Sequence, residues 1–412
     1  MDKKRIKSLI EKEINETEGI LNMLPCWVAR KYLFPGKRLK LDPRDMYIRG
    51  AEKGAISERW LASTGNAENG ELTVDNEGLS QIVLGNDQYR VFFKDAIEQA
   101  GDLIIGSDVM QKYGGLLSFA KLYDFQTPIG HHVHLMEKDC SWLGVTPKPE
   151  AYYFPKQLNT IDYNGAYTFF GLIPGTTKEN IKNCLINWAK YGDNGILEYS
   201  QAYKLRVGTG WDVPAGILHA PGSLVTYEPQ RVSDTSLFWQ SMVRDNYTEK
   251  ELAVRFIPPD KQDDYDFIVD VLDWDANLDI NFKKNHYHEP IPVNDDIEND
   301  GYKESWIVYG SSEFSAKELC ILPGRTVVIN DAAAYCLLMM EGYGTINNNQ
   351  IETPAMIRYD KQTADEMYVV KEAANKGVTI TNNSRTSNLI MLKHFGPGNP
   401  DAKNIRKEGD HI

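Results

Sequence analysis

Gly208-Thr209-Gly210-Trp211-Asp212-Val213-Pro214-Ala215-Gly216-Ile217-Leu218-His219 reads as a strand, a tight turn and a second strand. Its glycines and proline shape a turn that brings a single histidine onto an inward-facing strand. Upstream, His132-x-His134 places two imidazoles on one face, because a strand projects residues i and i+2 to the same side. Glu150, within Lys148-Pro149-Glu150, is placed to return on a neighbouring strand after a loop. Three imidazoles and one carboxylate converging inside a small β-barrel make a divalent-metal site, at once a Lewis acid and a substrate template. An HxH pair alone also occurs on solvated strands, so the Gly-Pro-Gly-His spacing is the more specific signal. His131 has the opposite parity and is expected to point away from the cavity. Zn is the first choice for such a donor set, and Mn, Fe, Co and Ni also suit it.

The rest of the chain bounds what that site can serve. With 412 residues, 42% hydrophobic and 25% charged, the composition is that of a soluble globular protein with room for two or three domains. The 45 basic and 58 acidic side chains give a net charge of −13, which argues against nucleic-acid and anionic-membrane partners. No stretch approaches the roughly 20 apolar residues of a membrane span, and Met1-Asp2-Lys3-Lys4-Arg5-Ile6 opens no signal peptide. Cys26, Cys140, Cys184, Cys320 and Cys336 form no CxxC and read as reduced thiols of a cytoplasmic protein. Cys140, between the ligands, reads as an inert thiol. A homodimer through either barrel is compatible with the sequence.

Four segments are expected. Residues 1–30 form a helical segment, with Ile6, Leu9, Ile10 and Ile14 at helical spacing over 5–21. Residues 31–257 form the metal-binding barrel, β-rich from about 45, with a helical insertion near 177–190 capped by Thr177. Residues 258–302, rich in Pro, Asp and Asn, form a connector in which His286-x-His288 is structural or surface. Residues 303–412 form a second jelly roll without metal ligands, its strands read at Val327–Ile329, Tyr335–Met340 and Asn388–Leu392. GxGxxG, Walker lysine, GxSxG and HExxH motifs are all absent.

Several groups near the ligands are candidates for proton chemistry. Lys148 shares the face of Glu150 two residues away. Asp234 and Glu228 follow His219, and spacing alone does not choose between them as base. Trp60 and Trp142 are large aromatics available as flat stacking surfaces for a ligand.

At these residues the sequence resembles the cupin superfamily and, within it, the type I phosphomannose isomerases. Pro214-Ala215-Gly216-x-x-His219-Ala220 is similar to the second cupin motif, followed as in that family by Glu228-x-Gln230 and Ser233-Asp234-Thr235. Lys148-Pro149-Glu150 looks like the KPE-type segment, which implies Glu150 as ligand and Lys148 in the substrate pocket. Ser57-Glu58-Arg59-Trp60 with Ser63 resembles the glutamate-x-tryptophan segment bordering the pocket, implying Glu58, Arg59, Trp60 and Gln230 as substrate contacts. Two positions depart from the family: His132 stands where glutamine is usual, and Phe238 where an arginine follows the Ser-Asp aspartate by four residues. Phenylalanine offers nothing to an oxyanion, so the phosphate end of the substrate lacks its usual partner; Arg59, Arg206 and Arg231 are candidate substitutes.

The fold expected is mainly β, two tandem cupin jelly rolls with an N-terminal helix and a helical insertion. The function expected is metal-dependent aldose–ketose isomerisation of a sugar or anionic sugar derivative through a cis-enediol. An iron cupin dioxygenase and a non-catalytic carbohydrate-binding sensor are the alternatives.

Overall fold

Short strands, most of them buried on both faces, rather than long helices, organise the chain. The computed structural model describes residues 2–31, 33–159, 166–243, 246–403 and 405. Four main antiparallel sheets stack as two jelly rolls, back to back. The first barrel pairs a five-stranded sheet, ordered Ser200–Lys204, Tyr167–Leu172, His219–Ala220, His132–Val133 and Leu237–Phe238, with a seven-stranded one. That second sheet runs Tyr287–His288, Gly210–Val213, Glu150–Tyr153, Thr226–Arg231, Ser118–Tyr123, Ala55–Leu61 and Cys26–Arg30. The second barrel pairs a nine-stranded sheet with a four-stranded one. Between the barrels the two larger sheets share a core of Trp27, Leu122, Tyr227, Leu338, Tyr368 and Leu392. The tandem cupin-like architecture read from the sequence is the one observed.

The N-terminal segment departs from the helix expected over 5–21. The helix is Lys3–Glu16, burying Ile6 and Ile10. Glu18 and Gly19 then take left-handed backbone (φ 54 and 84), which ends the helix. A Cβ at Gly19 would meet that of Ala373 at 2.5 Å. Ile20–Leu24 becomes a strand lying between Glu366–Val369 and Gln81–Leu84 of the nine-stranded sheet. Residues 93–113, within the stretch read as β-rich, form the helices Phe93–Gly101 and Ser107–Tyr113, with Phe93, Ala96, Ile97 and Ala100 on the buried face.

The helical insertion is Lys178–Tyr191, and Thr177 and Asn180 cap it reciprocally, Thr177 Oγ1 accepting from Asn180 N at 3.2 Å. Ile181, Leu185 and Trp188 share a core with Val133 and Leu237 of the five-stranded sheet and with Leu135 and Leu218 beside it. Residues 258–302, expected as a connector, carry the short helices Tyr265–Val269, Trp274–Asn277, Phe282–His286 and Ile297–Asp300. Ile268, Val269, Val271 and Leu272 enter that same core and back the strands bearing the histidines. The interior of the second barrel holds two buried lysines and two carboxylates: Lys317 Nζ reaches Glu304 at 3.2 Å and Asp331 at 2.7 Å, and Lys393 Nζ contacts both.

Candidate metal centre

The histidines come together because two short strands of the five-stranded sheet, His132–Val133 and His219–Ala220, lie side by side with His219 opposite His132, and His134 follows directly after the first. Ring centroids of His132, His134 and His219 are 4.1–5.2 Å apart, and their ligating nitrogens lie within 4.8 Å of one another. Glu150 enters from the facing sheet, its carboxylate oxygens 3.3 Å from His134 Nε2 and 3.1 Å from His219 Nε2. All four are buried.

Their hydrogen bonds fix what the ring nitrogens can do. His132 Nδ1 meets Gly130 O at 2.9 Å, His134 Nδ1 meets Thr235 O at 2.6 Å, and His219 Nδ1 meets Ile217 O at 2.8 Å. A carbonyl only accepts, so each Nδ1 carries the proton and each Nε2 presents a lone pair. His219 Nε2 therefore faces a carboxylate oxygen with no hydrogen between them, and it has no hydrogen-bond partner. Burial first, then the neighbouring imidazoles, push His132 well below its usual range; burial and Lys148 bring His134 down to about 4. Neutral imidazole lone pairs converging on an ionised carboxylate are a donor set that fits a divalent cation.

A charged row continues from Glu150 across the seven-stranded sheet. Lys148 Nζ contacts Glu150 and donates to Glu228 Oε1 at 3.1 Å and to His134 Nε2 at 3.2 Å. Tyr152 OH donates to Glu150 Oε1. Lys121 Nζ lies 3.1 Å from Glu228 Oε1 on the adjacent strand. Burial and the charge of Glu150 raise Glu228 to about 7, against the pull of Lys121 and Lys148. Further along, Glu58 is bonded by Arg30 Nε at 2.9 Å and by Trp60 Nε1 at 2.8 Å. Burial raises its carboxyl, but Arg30 and Lys121 outweigh it and hold Glu58 at about 2. Arg30 also clamps Asp234 at 3.1 and 3.0 Å. Asp234 takes a further bond from Glu68 N.

A cleft of about 290 Å³ opens beside this row, lined by Trp60, Asn66, Phe119, Asp234, Thr235 and Phe256 among others. Thr235 is the residue whose carbonyl orients His134. Gln230, opposite Glu150 across the strands, donates to Ser233 O at 2.6 Å and keeps a buried Oε1 without a partner.

The structure thus brings together His132, His134, Glu150, His219, Lys148, Glu228 and Gln230, and sets Glu58, Trp60 and Asp234 along the same row and cleft. It does not bring in Arg59 or Trp142. Arg59 has the opposite parity to Glu58 and Trp60, and its guanidinium crosses to Asp365 at 2.7 Å and Glu366 at 2.9 Å in the other barrel's sheet. Trp142 packs on Phe267 at 4.7 Å in the helical layer, 38% exposed and away from the cleft lining. Arg206 and Arg231 are bound to Glu289 and Glu313. His131 lies outside the ligand cluster, as its parity predicts, but is buried: its Nδ1 bonds Gln240 Oε1 at 2.7 Å. Lys121, Arg30 and Tyr152 are absent from the sequence reading. Tyr152 follows from the parity of Lys148 and Glu150, whereas Lys121 and Arg30 come from distant strands with no motif around them.

The two departures from the phosphomannose isomerase pattern turn out to be neighbours. Phe238 sits opposite His132 in register, and the rings stack at 5.0 Å and 25°. An arginine there would press a cation against an imidazole whose lone pair serves the centre. A phenyl ring instead fixes that imidazole.

Comparison with solved structures follows the same outline. Mannose 6-phosphate isomerase from Bacillus subtilis superposes with a TM-score of 0.58 at 15% identity, covering 91% of this chain and 99% of its own. A variant of phosphomannose isomerase from Salmonella typhimurium gives 0.60 at 11%, covering 92% and 100%. The chain has their fold. A zinc-bound mannose 6-phosphate isomerase gives 0.58 at 12%, covering 92% and 100%. No family model matches the sequence, and no curated protein matches it. Among the described residues no helix is long and apolar enough to cross a membrane.

Proposed function

We propose that the chain is a metal-dependent aldose–ketose isomerase acting on a sugar or an anionic sugar derivative. The observation that carries this reading is the acceptor-only convergence of three imidazole Nε2 atoms and Glu150, with Glu228 held between two lysines alongside. His132, His134, His219 and Glu150 would hold the ion, and the zinc-bound fold neighbour supports zinc. When bound, a divalent ion supplies Lewis-acid stabilisation of the negative charge on a sugar's adjacent oxygens.

The protein's own groups do the rest. Glu228 is the base that takes the C2 proton and returns it at C1, passing through a cis-enediol. Its carboxyl, raised to about 7, combines ionisation near neutrality with enough basicity to accept a proton. Lys148 and Lys121 orient the sugar oxygens and steady the charge that develops. Asp234, neutralised by Arg30 at the cleft wall, positions rather than exchanges protons. Trp60 borders the cleft as a ring-stacking surface.

Proton NMR in D₂O with metal-loaded protein and a panel of aldoses, ketoses and their 6-phosphates tests the proposal. Deuterium is expected at C1 or C2 as the partner sugar appears. Glu228→Gln is expected to slow this about 10²–10⁴-fold with metal content unchanged, and Asp234→Asn much less. No exchange with any sugar, or exchange undiminished in Glu228→Gln, would overturn it.

A further inference from the structure

We propose that a second cleft, built around Arg49 at the seam of the two barrels, binds a singly charged carboxylate. The site is separate from the metal centre and does not depend on the isomerase reading. This cleft measures about 290 Å³ and forms where the chain crosses from the nine-stranded sheet to the seven-stranded one. Leu24 and Gln81, paired across their strands, line it from the first sheet, Cys26 from the second, and Arg49 and Tyr359 complete it. Seams between domains are where ligand sites preferentially form. It shares no lining residue with the cleft beside the charged row. Gly78 and Trp60 stand between the two, since a Cβ at Gly78 would lie 2.7 Å from Trp60 Cζ3.

Only 19% of the Arg49 side chain is exposed. Within the described residues, none of its five N–H groups donates a hydrogen bond, and Nε is closed to solvent as well. The nearest carboxylate oxygen, Glu77 Oε1, is 3.6 Å from Nε, beyond hydrogen-bond reach. Both Glu77 oxygens are engaged elsewhere: Oε1 accepts from Ala29 N and Oε2 from Asn69 Nδ2, each at 3.2 Å. A buried donor without an acceptor is a standing cost, relieved when a ligand oxygen reaches it. The guanidinium is also held in place, its centre 5.5 Å over the ring of Tyr359, so docking orders little that is not ordered already. Its planar fork matches the two oxygens of a carboxylate. Asp75 and Asp360 line the same cleft, and Asp360 is matched by Arg90 Nη1 at 2.6 Å. Asp75 and the nearby Glu77 remain, so a ligand with one negative charge is repelled less than phosphate with two.

Acetate is the probe, followed by saturation-transfer NMR on its methyl group with the metal-loaded full chain. Saturable binding is expected, weakened about tenfold or more in Arg49→Gln, with Arg49→Lys intermediate. Asp75→Asn, which leaves Arg49 in place, is expected to tighten it about twofold or more. Thermal midpoints of all three variants report whether they fold. Formate is expected to displace acetate at lower concentration than inorganic phosphate does. Acetate bound equally well by wild type and Arg49→Gln belongs to the metal centre and overturns the assignment, as does absence of binding in wild type. Phosphate displacing acetate more readily than formate, or Asp75→Asn weakening acetate, would overturn the choice of a singly charged ligand.

Discussion

His132 and Phe238 form a matched pair, since each makes sense only beside the other: the imidazole supplies a lone pair, and the phenyl ring stacks on it without competing charge. Phe238→Arg alone is expected to weaken metal binding, and His132→Gln with Phe238→Arg to recover part of the loss. The coupling in a double-mutant cycle on metal affinity should be about 0.5–3 kcal/mol; additive losses would show the two positions to be independent. At this scale the sequence was informative wherever parity applies. Lys148, Glu150 and Tyr152 share a face, as do His132 and His134, and the same rule sets His131 outside the cluster. It also turns Arg59 away from Glu58 and Trp60 and towards Asp365. Lys121 and Arg30 were not legible, because what brings them to Glu228 and Glu58 is cross-strand register set by the whole sheet.

Among the elements, the Leu389–Phe395 strand carries a test of how the two inner sheets meet. His394 is buried, with Nε2 3.2 Å from Ser118 Oγ on the facing sheet, and burial holds its ring at about 3. The unfolded chain therefore binds a proton more readily than the folded one between about pH 6.5 and about pH 3, so stability falls as pH drops through that window. His394→Gln should remove about 2 kcal/mol of the loss between about pH 7 and about pH 5. Urea midpoints of both proteins at the two pH values measure it, and parallel losses would rule the histidine out as the cause. Strands at 326–329, 335–341 and 389–395 were legible from apolar runs bounded by turn residues. The 258–302 stretch was not, because its acidic residues resemble a linker while serving as helix caps. Asp264 accepts from Phe267 N, Asp273 from Ala276 N and Asp296 from Asn299 N.

For the whole molecule, the decisive feature is the strand Ile20–Leu24, inserted between a strand of the C-terminal segment and Gln81–Leu84. Removing residues 1–25 leaves both neighbours with unpaired backbone edges in the middle of a nine-stranded sheet. Such a chain is expected to aggregate and to lose a cooperative melt; a monomeric, sharply melting product in size-exclusion and circular-dichroism measurements would refute this. The same strand has a consequence for how a cell makes the protein. Ile20 is synthesised 349 residues before its register partner Val369. At roughly 5–20 residues per second the early strand waits about 20–70 s for that partner. Throughout that interval its apolar edge is open to other nascent chains. That interval is therefore when the chain is most open to intermolecular strand pairing.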